Sequence, residues 1–413
     1  MDDPGPLSAL RDCLARQGGP GRIGVAVSGG GDSVAALVLA VEAQGAGAVS
    51  AVTVDHGLRS GSAAEAAQVA ELCLRLGVAH RVLRWTPTGR GNLQQEARRA
   101  RLDLIGGWAE GRVDAVILGH TRDDQAETVL IRLARGSGVD GLSAMDEARR
   151  ARGTVWLRPF LGVSRADLRG VLVARGVTWI EDPSNDDDRF LRVRARQALA
   201  TLAPLGIDVA GLAATAMRMR RARAALEAAT RDAIQAHVVE ELGTARLDRA
   251  VLTLAPEIRD RLIAELLMAL SGSEHRPRHA ALLRLIEAGG TLMGCVLEDE
   301  GAHLRLYREP RAVAALSVPT DRTWDRRWRA TGPGGGVIRA LGERGLAQLS
   351  AQARAGLHPH WRETGMSQRV LAGLPAIWVD QVLIAAPLVF WPQKWHLSAR
   401  PLAARGNQWE LSH

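Results

Sequence analysis

Chemistry on phosphate is written most densely between residues 25 and 33. There Val25-Ala26-Val27-Ser28-Gly29-Gly30-Gly31-Asp32-Ser33 passes from an apolar, strand-like run into a helical pattern. Three consecutive glycines let the backbone turn sharply and bring its N–H groups against a ligand with no Cβ in the way. The helix that follows adds partial positive charge at its N-terminus, and Ser28 and Ser33 add hydroxyl donors, so the segment can cradle a phosphate chain. Asp32 adds a carboxylate able to hold a metal or handle a proton. No Gly-Lys-Ser/Thr follows, so this is not a Walker A loop. Residue 34 is Val, so it is not a Gly-x-Gly-x-x-Gly fingerprint either. A plain strand-to-helix turn would account for the glycines, but not for an aspartate accompanied by two serines.

Further segments carry charge where a parallel sheet would gather it at one edge. Val54-Asp55-His56-Gly57-Leu58-Arg59 follows a second strand-like run. His56 can approach a nucleoside and Arg59 a phosphate, although a surface turn would have the same appearance. Gly119-His120-Thr121-Arg122-Asp123-Asp124-Gln125-Ala126-Glu127 follows the fourth run and opens a helix. Asp124 and Glu127 are three apart and share a helix face. Acids in a first turn also simply complement the helix dipole. Beside a phosphate loop they need a cation, and the candidates are Mg²⁺ and an amino group of a substrate. Further along, Ser164-Arg165 leads to the loop Trp179-Ile180-Glu181-Asp182-Pro183-Ser184-Asn185. Arg192, Arg194 and Arg196 then form an alternating basic run that can grip phosphates or lie on a solvated helix face.

Alternation of short β-rich runs with longer helical patterns positions these groups. Strands are expected at 23–27, 49–54, 80–83 and 115–118, and helices at 33–42, 63–76 and 93–108. The pattern predicts an α/β fold with a doubly wound, mainly parallel sheet over residues 1–200. A helical domain is expected over 201–289, with helices at 212–235 and 260–270. Residues 290–413, with seven of the eleven Trp, are expected to form a small mixed, β-rich domain.

The 413 residues carry 53 Lys+Arg against 45 Asp+Glu, a net charge of +8, which favours a polyanionic partner. Lys394 is the sole lysine, so the arginine excess also reflects coding bias. Three scattered cysteines without Cys-x-x-Cys exclude a disulfide framework and fit a reducing cytoplasm. The N-terminus lacks a basic region followed by an apolar one, so no secretory signal is expected. The longest apolar run, 34–41, is far short of the ~20 residues that span a bilayer.

The Ser-Gly-Gly-Gly-Asp-Ser run resembles the pyrophosphate loop of the N-type ATP pyrophosphatases, the PP-loop superfamily. Taken in order with 54–59, 120–128, 135–142 and 181–185, it resembles the tRNA(Ile)-lysidine synthetase family over roughly residues 24–199. The resemblance implies an ATP-dependent ligase that attaches lysine to C2 of the wobble cytidine of CAU-anticodon isoleucine tRNA. It implies an adenylated cytidine intermediate and release of AMP and pyrophosphate. On this reading Ser28, Gly29, Gly30, Gly31, Asp32, Ser33, His56 and Arg59 bind the nucleotide, with Asp32 also catalytic. His120, Asp124 and Glu127 bind lysine. Asp32 and Asp123 are candidate Mg²⁺ ligands. Arg98, Arg101, Arg192, Arg194 and Arg196 contact tRNA. ATP, Mg²⁺, free lysine and the tRNA are the implied ligands, a homodimer is compatible, and no membrane association is expected. Two departures stand out. Val193 replaces the Asn of the family's Arg-Asn-x-Ile-Arg run, and Leu102 replaces the Tyr of an Ala-Arg-x-x-Arg-Tyr helix. A tRNA thiolase of the same superfamily is the nearest alternative, but sulfur transfer needs a thiolate relay or an iron–sulfur cluster.

Overall fold

Apolar residues on successive positions of the first strands predict a sheet covered on both faces, and that is how the chain folds. A computed structural model describes residues 5–57, 61–86, 93–151, 153–181 and 188–402. Two compact units divide it, Met1–Ala224 and Ala225–His413.

The first unit runs α1 (Pro6–Arg16), β1 (Ile23–Ala26), α2 (Gly31–Gln44), β2 (Val49–Asp55), α3 (Ser62–Leu76), β3 (Ala79–Arg84), α4 (Leu93–Ala109), β4 (Ala115–Ile117), α5 (Arg122–Leu133) and α6 (Val139–Leu142). It continues with β5 (Ala148–Ala151), β6 (Thr154–Leu157), α7 (Arg165–Ala174), α8 (Leu191–Leu202) and the start of α9 (Val209–His237). The sheet order is β3-β2-β1-β4-β6-β5. All pairings are parallel except that of the edge strand β5 with β6. Sequence periodicity gave no sign of β5 or β6; β5 reads Ala-Arg-Arg-Ala and carries no apolar run to mark it.

Side-chain alternation splits the core in two. Ile23, Val25, Val49, Ala51, Ala115 and Ile117 face a layer built from α1, α2, α3 and α7. Ala26, Val52, Val116, Leu118 and Trp156 face Ile105 and Trp108 of α4. Trp108 lies so close over β1 that a Cβ on Gly24 would come within 2.8 Å of its ring. The strand order reverses direction between β1 and β4, and ligands of open α/β sheets bind at the carboxyl ends flanking such a switch.

The second unit begins within α9 and adds β7 (Val238–Glu241), β8 (Thr244–Asp248), α10 (Pro256–Ser271), α11 (His279–Ala288), β9 (Gly290–Leu292), β10 (Cys295–Asp299) and β11 (His303–Arg308). Then follow α12 (Pro310–Val313), β12 (Ser317–Pro319), β13 (Trp328–Thr331), β14 (Val337–Ala340), α13 (Gly342–Arg354), α14 (Gln368–Ala372), β15 (Pro375–Val379), β16 (Val382–Ala385) and β17 (His396–Ala399). Residues 201–289 are therefore not wholly helical: they contain the β7–β8 hairpin. β8 pairs with β11, so the sheet β7-β8-β11-β10-β9 spans residue 289. The apolar face of α10 packs on it through Leu262, Leu266 and Leu270. Trp324, Trp328, Trp378 and Trp395 are buried in the cores of the smaller sheets and present no face for stacking on bases.

Candidate active site

Two positions of the loop between Ser28 and Ser33, Gly29 and Gly31, sit in contacts that only glycine permits. Gly29 has φ +91°, a left-handed conformation, and a Cβ there would lie 2.6 Å from Ile180 Cδ1. A Cβ on Gly31 would press on Arg169 Nε at 3.0 Å and on the Trp179 ring. α2 starts at Gly31 with no side-chain cap; the Ser33 N–H returns to the Gly30 carbonyl at 3.0 Å, and the Gly31 and Asp32 N–H groups are left for a ligand. The Ser33 hydroxyl donates to the Gly30 carbonyl at 2.9 Å. It also accepts from the Ser28 N–H at 3.1 Å, and so holds the loop in shape. Ser28 is exposed at the rim.

β4 delivers the second loop against the first. Gly119 sits where a Cβ would lie 2.6 Å from the Asp32 carbonyl oxygen, so the two loops touch backbone to backbone. Thr121 then caps α5 through a reciprocal capping box with Asp124. Asp124 Oδ2 accepts from the Thr121 N–H at 2.8 Å and from its hydroxyl at 3.1 Å. One Asp124 oxygen is thus structural, and Oδ1 is left for the site.

That oxygen meets Arg165, at the start of α7. The Arg165 guanidinium donates from Nε to Asp32 Oδ2 at 3.1 Å, from Nη2 to Asp124 Oδ1 at 3.1 Å and from Nη1 to Glu127 Oε1 at 3.5 Å. Its backbone N–H donates to Asp123 Oδ2 at 2.7 Å. Arg169, one turn on, donates to Asp32 Oδ1 at 3.2 Å and to Glu181 Oε1 at 3.2 Å. Arg196 of α8 donates to Glu127 Oε1 at 3.0 Å. The Glu127 side chain is 1% exposed, and its Oε2 is buried without a hydrogen-bond partner among the described residues.

Environment sets the two α5 carboxylates apart. Burial, reinforced by the Asp124 charge, raises the Glu127 pKa despite Arg165 and Arg196. Burial also opposes Asp124 ionising, but His120, Arg165 and Arg192 outweigh it and hold this carboxyl below the usual range. His120, half-exposed as a residue, has Nδ1 buried and unpartnered, and desolvation drives its pKa down to about 3. It is a neutral imidazole at physiological pH. His56, at the end of β2, lies edge-on to Trp85 with ring centroids 5.8 Å apart. Its pKa is lowered by burial and then by the Arg101 charge. Arg101 is itself lowered by burial and by Arg192.

The residues expected from sequence thus fall into two sets. Asp32, Asp123, Asp124 and Glu127 converge on Arg165, and His56, His120, Arg101 and Arg192 interact electrostatically beside them. Arg194 is exposed, and Arg196 turns into the acid cluster. Val193, where the family pattern has Asn, is buried on α8. Arg59, the Arg98 side chain and residues 182–187 lie outside the described residues. Sequence reading gave no role to Gly119, Ile180, Arg165 or Arg169. The signal for the arginines was present: Ser164 caps α7 by accepting from the Asp167 N–H, which puts Arg165 and Arg169 four apart on one face.

Residues 9–203 match a family model described as a PP-loop domain. The chain is 45% identical to tRNA(Ile)-lysidine synthase of Ruegeria pomeroyi, covering 91% of this chain and 90% of that protein. It is 41% identical to tRNA(Ile)-lysidine synthase of Methylobacterium sp., covering 75% of this chain and 95% of that protein. Among solved structures, U34-tRNA thiolase NcsA from Methanococcus maripaludis, with its [4Fe-4S] cluster, is similar at a TM-score of 0.45 and 14% identity, over 52% of this chain and 76% of that one.

Proposed function

Because this chain belongs to the tRNA(Ile)-lysidine synthase family, we propose that it joins lysine to C2 of the wobble cytidine of CAU-anticodon isoleucine tRNA at the expense of ATP. The cytidine O2 attacks the α-phosphorus of ATP and pyrophosphate leaves. The lysine ε-amine then attacks C2, and the C2–O bond breaks to release AMP. One observation carries the assignment to this site. A phosphate-shaped loop adjoins a buried pair of carboxylates, one oxygen of which, Glu127 Oε2, lacks a hydrogen-bond partner among the described residues.

In the first step negative charge builds on the leaving pyrophosphate, and the N–H groups at the start of α2 suit it. In the second the amine must be neutral when it attacks. Asp124, held ionised, suits an anchor for a substrate ammonium. Glu127, raised by burial, suits acceptance of the proton that the ε-amine sheds. Neutral His120 and His56 offer ring nitrogens to the nucleoside.

Mg²⁺ fits the donor set as a shared ligand. Among the described residues no group of three His, Cys, Asp or Glu forms a metal cage. Asp32, whose two oxygens each take an arginine, supplies carboxylate at the phosphate loop, with Asp123 nearby. Mg²⁺ commonly binds through one or two carboxylates plus substrate phosphates and would neutralise phosphate charge there. Arg101, Arg192 and Arg194, with the exposed Arg218 and Arg221 of α9, are the groups we assign to tRNA phosphates. The residues after 200, without a catalytic constellation, are assigned to tRNA binding. Among the described residues no single helix is long and apolar enough to cross a membrane, and we place the enzyme in the cytoplasm with its tRNA.

The thiolase alternative is disfavoured by the thiols themselves. All three are buried, and desolvation raises Cys13 to about 12, Cys73 to about 11 and Cys295 to about 12. Such thiols are protonated and inert at neutral pH. Mass analysis of the anticodon nucleoside after incubation with ATP, lysine and the tRNA tests the proposal. Conversion of cytidine to lysidine is expected; an unchanged cytidine, or a thiolated one, overturns it.

A further inference from the structure

Neither the phosphate loop nor the α5 acids is a separate site in this fold, because one side chain joins them. Arg165 spreads its three guanidinium nitrogens over three carboxylates from two elements, Asp32 of the loop and Asp124 and Glu127 of α5. The group is 18% exposed, at the edge of the site and not sealed in its core. It lies 133 residues from Asp32 in sequence, so only the tertiary fold makes the bridge.

A guanidinium in that position is both a counterion and an obstacle. It neutralises buried carboxylates that could not persist unpaired. By occupying Asp124 Oδ1 and Glu127 Oε1 it also competes with any ammonium for them. A triphosphate entering the adjacent loop brings several negative charges beside Asp32, and a guanidinium pairs readily with phosphate. Once drawn there, it frees Asp124 Oδ1 and leaves Glu127 with Arg196 alone, so the pair is short of one positive charge and a substrate ammonium is the natural replacement.

Resting on the function proposed above, we propose that Arg165 is a positioning residue that couples the two substrates. Without ATP it holds the α5 acids and keeps lysine out. With ATP bound it moves to the phosphates and yields those acids to the lysine ammonium. Lysine therefore binds tightly only after ATP, and a C2-activated cytidine always meets a filled amine site.

The test is calorimetric titration of lysine into the full-length protein, with Mg²⁺, in the presence and absence of a non-hydrolysable α,β-methylene ATP analogue. In the wild type the analogue should tighten lysine binding, by about 5- to 150-fold, the usual span of coupling between sites. In Arg165→Gln the ratio should approach one, and lysine binding without the analogue should become tighter than in the wild type. A residue that merely supported the structure would give weaker binding instead. Arg165→Lys keeps one positive charge but not the three-way fork, and should restore exclusion of lysine with only part of the coupling. A wild-type ratio near one overturns the proposal without recourse to any variant, as does a ratio that survives in Arg165→Gln. If the wild type binds the analogue but never lysine, with tRNA present or absent, the functional reading falls and this inference with it.

Discussion

Replacing Gly119 with Ala tests whether the phosphate loop depends on backbone contact with the loop after β4. The added Cβ would lie 2.6 Å from the Asp32 carbonyl oxygen, 2.8 Å from its carbon and 3.0 Å from the Ser33 nitrogen. None of these is a side-chain tip that can rotate away. Ordinary contact begins near 3.4 Å, so the loop must retreat by about 0.8 Å. Gly119 is not among the glycines with positive φ, so alanine brings no backbone strain of its own. A displacement approaching 1 Å in groups that position reacting atoms costs on the order of 10²-fold in rate. Overpacking of this kind typically costs about 1–3 kcal/mol of stability. In a unit of this size that lowers the melting temperature by about 2–4 °C per kcal/mol. The assay is AMP release with saturating lysine and tRNA across a range of ATP concentrations, beside a thermal melt. Expected are a kcat near one hundredth of the wild-type value and a folded protein melting several degrees lower. A variant that folds and works within a few-fold of wild type would refute the argument that this contact sets the loop.

Three further outcomes follow from the same structure. Glu127→Gln and Asp124→Asn should raise the lysine KM by about 25-fold or more, the equivalent of ~2 kcal/mol for a lost buried charge pair, with a smaller effect on the ATP KM; a larger effect on ATP would make these acids metal ligands. Arg194→Ala, Arg218→Ala and Arg221→Ala should each flatten the salt dependence of tRNA binding by about one counterion. Arg220→Ala and Arg223→Ala should instead lower the melting temperature, because Arg220 is bound to the Met145 carbonyl and both arginines to Asp146; equal salt effects across the five would remove the distinction. Desolvation, opposed in part by Arg276, raises Glu265 of α10 from 4.5 to about 7. The fold keeps this proton where the unfolded chain has lost it, so the stability it provides at acid pH declines as pH rises from 4.5 towards 7, by at most about 3 kcal/mol. Denaturant unfolding of Glu265→Gln against wild type should show the variant gaining ground between pH 5 and pH 8, and a constant gap would refute it.

Features that depend on neighbours in sequence were legible before any fold was known. The Gly29–Gly31 run and the Asp124/Glu127 face are fixed within one turn of backbone, and the helices α2, α3 and α9 by the periodicity of their own residues. Local steric and hydrogen-bonding rules govern such features, and the order of the motifs along the chain carried the family resemblance. What the tertiary structure alone decided is how distant segments meet. Ile180 closes over Gly29, the Asp32 backbone closes over Gly119, and β6 lies beside β4 where periodicity had shown no strand. Arg165 and Arg169 join Asp32 across 133 and 137 residues. In a chain whose 53 basic residues are nearly all arginine, no single guanidinium advertises its partner. An ion pair has no sequence period: it is chosen by which surfaces the packed sheet brings to one edge, and by the cost of leaving a buried carboxylate without a cation.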